Sequence, residues 1–496
     1  MFGLKLDLRR LISPATAALP MRDSENQWVE IANRSNQTVD LTDWSLADGI
    51  NFTFAPGTLL AAGEHASIVK SPALFTAAHP SARVLGTFSG SLSRSGENIE
   101  LRDPSKNIAD RVRYYEGGQW PEAADGGGSS LELRDLDADN SRGSAWSASN
   151  ESNRTAWKTY TYNSTAAASK GADAVWSEFN LGLLSAGEIW LDDVSVIENP
   201  TGAATQKLTD PGFNNPSVWR LRGNHRHSQI IDEPGNPGNK ILRIVASGPT
   251  EHMHNQIETT LASGVTNGLP YQISYRARWV SGMNQLHTRL YFSRVAKMTS
   301  IDRPANPGTP SAPNSRAVAN IGPTYASLKH SPAVPAAFQT TTVSVTASDP
   351  ENVASLALFY SVNGGSFTSV SMTQTGGLYQ ASIPGQAAGA VVQFYILGTD
   401  GAGVQSFHPA GGSSSRALYK VADGTAATNG LHNFRVVTTN ADRDFMHALT
   451  EVMSNDRIEC TIIDREGDIG RADPRTAGIV VRHFHFQLRW SHQPIQ

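Results

Sequence analysis

From Gln27 onward the chain is built of short runs in which apolar and polar residues alternate, such as QWVEIAN (Gln27 to Asn33), TTTVSVTAS and YQISYRARWVSG. Successive side chains on a strand point to opposite faces, so this period of two suits half-buried strands and cannot supply the stripe of an amphipathic helix. Gly, Asn, Asp and Pro separate the runs, and Asn363-Gly364-Gly365 is a hairpin signal between two of them. Composition agrees: charged residues are only 17% of 496, against 43 Gly and 26 Pro. A mainly β chain of several domains follows, since about 150 residues suffice for one.

Several function classes drop out at this level. The formal net charge is −4, from 41 Lys+Arg and 45 Asp+Glu, without the basic stripe of a dedicated nucleic-acid binder. Cys460 stands alone, which excludes an intrachain disulfide framework and a cysteine-based zinc site. No apolar run reaches the roughly 18 residues that cross a bilayer. Residues 1–20 fail as a secretory signal, because Asp7, Arg9 and Arg10 interrupt the apolar stretch and Pro14 follows. None of the G-x-S-x-G, H-E-x-x-H, G-x-G-x-x-G or Walker patterns occurs, so no residue is assigned a catalytic role.

Trp28, Glu30, Asn33, Leu41, Trp44, Leu46, Phe54, Pro56 and Gly57 fall in a pattern that resembles the lamin-tail domain, an immunoglobulin-like sandwich, over residues 21–115. The opening strand that this family places before Trp28 finds no counterpart in residues 1–20. Residues 116–155 form a connector, read as solvated, with one short strand at SLEL. Residues 156–300 resemble galactose-binding-like carbohydrate-binding jelly rolls, through DPGFNNPSVW and EIWLDDVSVIE. The phrase that closes such modules here precedes the one that opens them, so one unit with its final strands moved to the front is expected. Residues 301–325, rich in proline, are a linker. Residues 327–421 resemble a fibronectin III or immunoglobulin-like sandwich. Residues 428–463 resemble the start of a CotH-type atypical kinase domain, an incomplete α/β segment, through VMSNDRI and the strand after it. From Asp464 to Gln496 the texture changes, with five arginines between Arg465 and Arg489 and no sustained period. A reading-frame change or truncated gene explains this tail, with a disordered basic tail as the alternative.

Sugar recognition needs flat aromatic faces beside amide, carboxylate or guanidinium groups. In the jelly-roll segment Trp219, Trp279, Tyr275, Tyr291, Arg222, Arg278, Asn284 and Gln285 offer such groups, although Trp219 and Tyr275 fit a core role equally well. Of three H-x-H pairs, His483/His485 lies in the tail, while His225/His227 and His252/His254 place imidazoles two residues apart in the jelly-roll segment and could clamp zinc, with Glu251 as a further ligand; turn or loop roles are the alternative. The jelly-roll resemblance implies a structural calcium held by Asp193 and Asp210, and Asn214 departs from that pattern where a Glu is usual. The resemblances together imply a non-catalytic exported or cell-surface binding and adhesion protein that takes a polysaccharide or cell-surface glycan. A fragment of a CotH-type kinase lacking its catalytic residues, and a defunct gene product, are the alternatives.

Overall fold

The computed structural model describes residues 4–10, 24–93, 95–118, 120–124, 128–167, 177–250, 254–425, 433–451, 453–465 and 480–486. The protein is mainly β, a series of sandwiches, with two α-helices among the described residues. It divides into two compact units. One comprises Met1–Leu136, Trp146–Ala317 and Met453–Asp456; the other comprises Asp137–Ala145, Val318–Val452 and Arg457–Gln496.

The first unit opens with the lamin-tail segment. A four-stranded sheet in the order Leu4–Arg10, Gln27–Asn33, His65–Val69, Val84–Thr87 accompanies a five-stranded one running Ile108–Tyr114, Glu97–Arg102, Ser45–Asp48, Ile50–Thr53, Ser89–Gly90. The opening strand therefore exists. Leu4–Arg10 pairs antiparallel with Gln27–Asn33, and its sequence LKLDLRR alternates as a strand should. Two patterned residues explain their own presence. Buried Asn33 donates its side-chain amide to the carbonyls of Gln37, Leu60 and Ala61, closing two loops at once. Gly57 has φ +79 in a turn closed by Thr58 N donating to Ala55 O, the position after Pro56 that needs a glycine.

Gln27–Asn33 is buried at every residue rather than on alternate ones. The side bearing Trp28 and Glu30 meets the proline-rich stretch, where Ser311 N donates to Glu30 Oε2 at 2.6 Å and Gly308 lies beside the Trp28 ring. Buried Glu132 and Glu151 engage the same stretch, through Ser315 Oγ at 2.7 Å and Gly308 N at 2.7 Å. A carboxylate accepting such bonds tolerates burial that would otherwise be costly. Within 116–155, Leu131–Leu133 pairs antiparallel with Trp146–Ala148.

The jelly-roll segment is one sandwich with one core. Its six-stranded sheet runs Lys158–Thr165, Pro270–Gly282, Gly187–Glu198, Asn236–Ala246, Gln229–Glu233, with Thr205–Gln206 also on Gly187–Glu198. The facing sheet runs Trp219–Leu221, Ile257–Thr260, Glu178–Leu183, Gln285–Leu290, Ala296–Ser300. The strand holding WLDDVSV thus sits in the middle of the larger sheet. A bulge interrupts it between Asp192 and Ser195, where Asp193 takes φ +50. Met453–Asp456 packs on this sandwich: Asn255 and Asn455 exchange bonds of 2.7 and 2.5 Å, and Ser247 Oγ donates to buried Asp456 at 2.6 Å.

The second unit holds the other sandwich. One sheet runs Thr324–Ser331, Thr341–Ser348, Leu378–Ile383, Thr373–Thr375. The other runs Thr368–Ser371, Val353–Val362, Val391–Asp400, Gln405–His408, with Ala417–Lys420 also on Val391–Asp400. The hairpin signal is met: Asn363 and Gly364 both have positive φ, and Gly365 N donates to Val362 O at 3.0 Å. Beyond it, Asn433–Val437, Ile458–Arg465 and Val480–Phe486 form a three-stranded sheet, so part of the segment read as an aberrant tail supplies a strand. Helix Asn440–His447 starts at a capping box of Thr439 and Asp442.

Candidate functional site

Strand Pro270–Gly282 decides most of the sugar-contact candidates. From Tyr271 to Trp279 its odd-numbered residues are buried and its even-numbered ones partly exposed. Tyr275 and Trp279, both at 0% exposure, therefore point into the core, where desolvation pushes the Tyr275 phenol up to about 12. Trp219 is also core, with its ring 5.0 Å from Phe213 and its indole N–H donating to Asp210 at 3.2 Å. Arg222 pairs with Glu258 at 2.8 Å. Asn284 donates to Ile301 O at 2.8 Å, Gln285 opens a strand opposite Ser300, and Tyr291 lies under Arg294 at 5.9 Å. Of the eight, only Arg278 stands on the outer side of the six-stranded sheet with an aromatic ring beneath it.

The metal candidates scatter similarly. His225 is fully buried; its Nε2 accepts from Leu183 N at 2.8 Å, so its Nδ1 carries the proton and donates to Asn224 Oδ1 at 2.6 Å. Desolvation lowers its pKa to about 4. Gly182 makes room for it, since a Cβ there would meet His225 Nε2 at 3.0 Å. His227 is half exposed, 3.5 Å from Asp456, whereas His254 is partly buried, with its backbone carbonyl near Gly223. His252 and Glu251 lie outside the described residues. Asp210 spends one oxygen on Asn214 N at 2.9 Å and the other on Asn215 N at 3.0 Å. Asp193 is 76% exposed and faces Arg276 at 3.5 Å. The two carboxylates share no partner among the described contacts. Only Asp349, Glu351 and Asp400, in the second unit, form a cluster of three potential metal ligands among the described residues. Asp400 there already accepts from Ala402 N, Val404 N and Asn320.

A different grouping appears on the outer side of the six-stranded sheet. Trp157, just before strand Lys158–Thr165, and Trp190, from strand Gly187–Glu198, have ring centroids 6.5 Å apart at 42°. Arg276 lies over Trp157 at 4.4 Å and Arg278 over Trp190 at 5.6 Å. Such cation–π contacts fix long side chains in place. Arg276 pairs with Asp192 and reaches Glu233 at 3.4 Å. Burial alone would lower its guanidinium, but the bond to Asp192 outweighs this and holds it above the ordinary value. Burial would raise Glu233, yet donation from Asn239 at 2.9 Å and Asn236 at 3.0 Å, with the Arg276 charge, keeps it below the usual range. Arg243 forks onto Glu188 with two bonds of 2.8 Å, and the Trp190 indole N–H donates to the same carboxylate at 2.9 Å.

Trp190 is itself buried in an apolar cluster with Ile241 and Val280, against which the partly exposed Trp157 packs. The aromatic surface of this face is therefore that of Trp157, beside ordered donors and acceptors, a combination suited to a polyhydroxylated ligand. Trp157, Trp190 and Arg276 escaped the sequence analysis. The signal that finds them is the phase of alternation: in GEIWLDD, Ile189 and Leu191 are core, which puts Trp190 and Glu188 on the other side.

Residues 16–116 match the lamin tail domain family. No curated protein sequence matches the chain. Among solved structures, a bromine derivative of BhCBM56 is similar at 13% identity, over 17% of this chain and 78% of that one, with a TM-score of 0.13. The pullulanase of Bacillus acidopullulyticus is similar at 13% identity over 54% of this chain, with a TM-score of 0.13, and the match spans 36% of the pullulanase. No helix among the described residues is long and apolar enough to cross a membrane.

Proposed function

We propose that the protein is a non-catalytic, exported or cell-surface binding protein that holds a polysaccharide on the outer face of the six-stranded jelly-roll sheet. The observation that carries this reading is the pair of tryptophans flanked by Arg276, Arg278 and the hydrogen-bonded carboxylates Glu188, Asp192 and Glu233. Pyranose rings offer C–H faces to aromatic rings and hydroxyl pairs to guanidinium and carboxylate groups, so each part of the face has a counterpart on the ligand. The other sandwiches act in this reading as spacers, the commoner use of such scaffolds.

Affinity electrophoresis of the full chain through gels containing soluble polysaccharides (β-glucan, xylan, galactomannan, polygalacturonate) tests it. Retardation by at least one polymer is expected, weakened about tenfold in Trp157→Ala, as loss of a stacking contact worth about 1–2 kcal/mol predicts. Unretarded migration in every gel overturns the reading.

A further inference from the structure

Four carboxylates and three arginines meet on this face, and they pair unevenly. Glu188 is taken by both donors of the Arg243 fork and by Trp190, while Asp192 and Glu233 are taken by Arg276 and Asn239. Even exposed Asp193 faces Arg276 rather than Arg278. The Arg278 side chain makes no hydrogen bond and no ion pair among the described residues, and its Nε is buried without a partner. Its contact is with the Trp190 ring, and the Glu233 charge reaches it only through space. A guanidinium stays charged at neutral pH, and its planar fork matches a carboxylate with two parallel bonds. The strand pairing that sets Arg278 directly opposite Trp190 places this unclaimed fork beside the aromatic pair rather than at the rim of the sheet.

Resting on the glycan reading, we infer that the ligand is an acidic polysaccharide, and that Arg278 receives the carboxylate of a uronic acid residue whose ring lies against Trp157. A neutral sugar would leave the Arg278 fork to hydroxyls, which bind a guanidinium more weakly than a carboxylate does.

The test compares binding of the full chain to an oligogalacturonate, to its methyl ester of the same length, and to a sulfated galactan, by isothermal titration. The acid is expected to bind about tenfold more tightly than the ester, with the advantage shrinking as salt rises. Arg278→Gln should erase the difference between acid and ester, Arg278→Lys should restore part of it, and Arg220→Gln on the facing sheet should leave it intact. Equal binding of acid and ester overturns the uronate inference while leaving the glycan reading standing; so does tighter binding of the sulfated galactan. Failure of all three ligands, together with every polymer of the electrophoresis panel, overturns the glycan reading itself. The acid–ester comparison needs no variant, so it decides the matter even if Arg278→Gln folds poorly.

Discussion

The sandwiches of residues 158–300 and 324–420 each carry aromatic side chains on an outer sheet face, and the two faces are built differently. In the second unit Phe359 stacks on Tyr395 at 4.9 Å with parallel planes, and Phe367 and Phe407 meet the same tyrosine edge-on at 5.1 and 5.9 Å. Those rings satisfy one another. On the six-stranded sheet of residues 158–282 the two tryptophans pack on each other, and an arginine also lies over each of them, Arg276 holding Asp192 in turn. Aromatic content alone therefore does not distinguish a packed patch from a recognition surface. The difference lies in whether polar groups are fixed next to the rings with bonding capacity left over.

The largest expected effect contrasts neighbours on one strand. Trp279→Ala should destabilise the first unit by about 3–5 kcal/mol, because it empties a core site, whereas Arg278→Gln one residue away should cost about 0.5 kcal/mol or less. Chemical denaturation followed by tryptophan fluorescence measures both. Equal losses would mean that the alternation of this strand is not what separates core from face.

Next comes pH, where the units should respond with opposite sign. The folded-state pKa of His225 is lowered to about 4 from 6.5, so the unfolded chain takes up the proton first. Its contribution is complete above about pH 6.5 and is lost as pH falls toward 4, up to about 3 kcal/mol. In the second unit Asp349 is raised to about 6 from 3.8 by burial and by the nearby Glu351 and Asp400 charges. The folded state holds that proton more tightly, so the contribution is present below pH 3.8 and disappears as pH rises through 6. Solvent access limits it to roughly 1 kcal/mol. Thermal unfolding across pH 4–7 should show the first unit weakening on acidification, a slope removed by His225→Gln. The smaller opposite slope of the second unit should vanish in Asp349→Asn.

The smallest effect concerns binding selectivity between the two faces. Trp157→Ala should weaken polysaccharide retardation about tenfold, while Tyr395→Ala leaves it unchanged and costs about 1 kcal/mol of stability through the lost ring contacts. Retardation abolished by Tyr395→Ala would move the binding surface to the other sandwich.

Much of the architecture was readable because the information is local. The turn at Asn363-Gly364 follows from which residues accept positive φ, and the lamin-tail pattern contains its reasons in Asn33 and Gly57. The strand Leu4–Arg10 is equally legible in the alternation of LKLDLRR. The proline-rich stretch read as a linker for a sound local reason, since it has no apolar period. Its attachment depends on Glu30, Glu132 and Glu151, whose partners lie 157 to 281 residues away.

The sequence by itself determined that this is a tandem β-sandwich protein, and where most of its strands and turns lie. Only the tertiary structure decided which side of each strand met the core, because the two sides of an isolated strand are equivalent until a second sheet covers one of them. That choice turned Tyr275 and Trp279 into core residues and brought out Arg276 and Arg278. It also decided which carboxylate meets which arginine, since such pairs form across strands far apart in the chain and depend on their register.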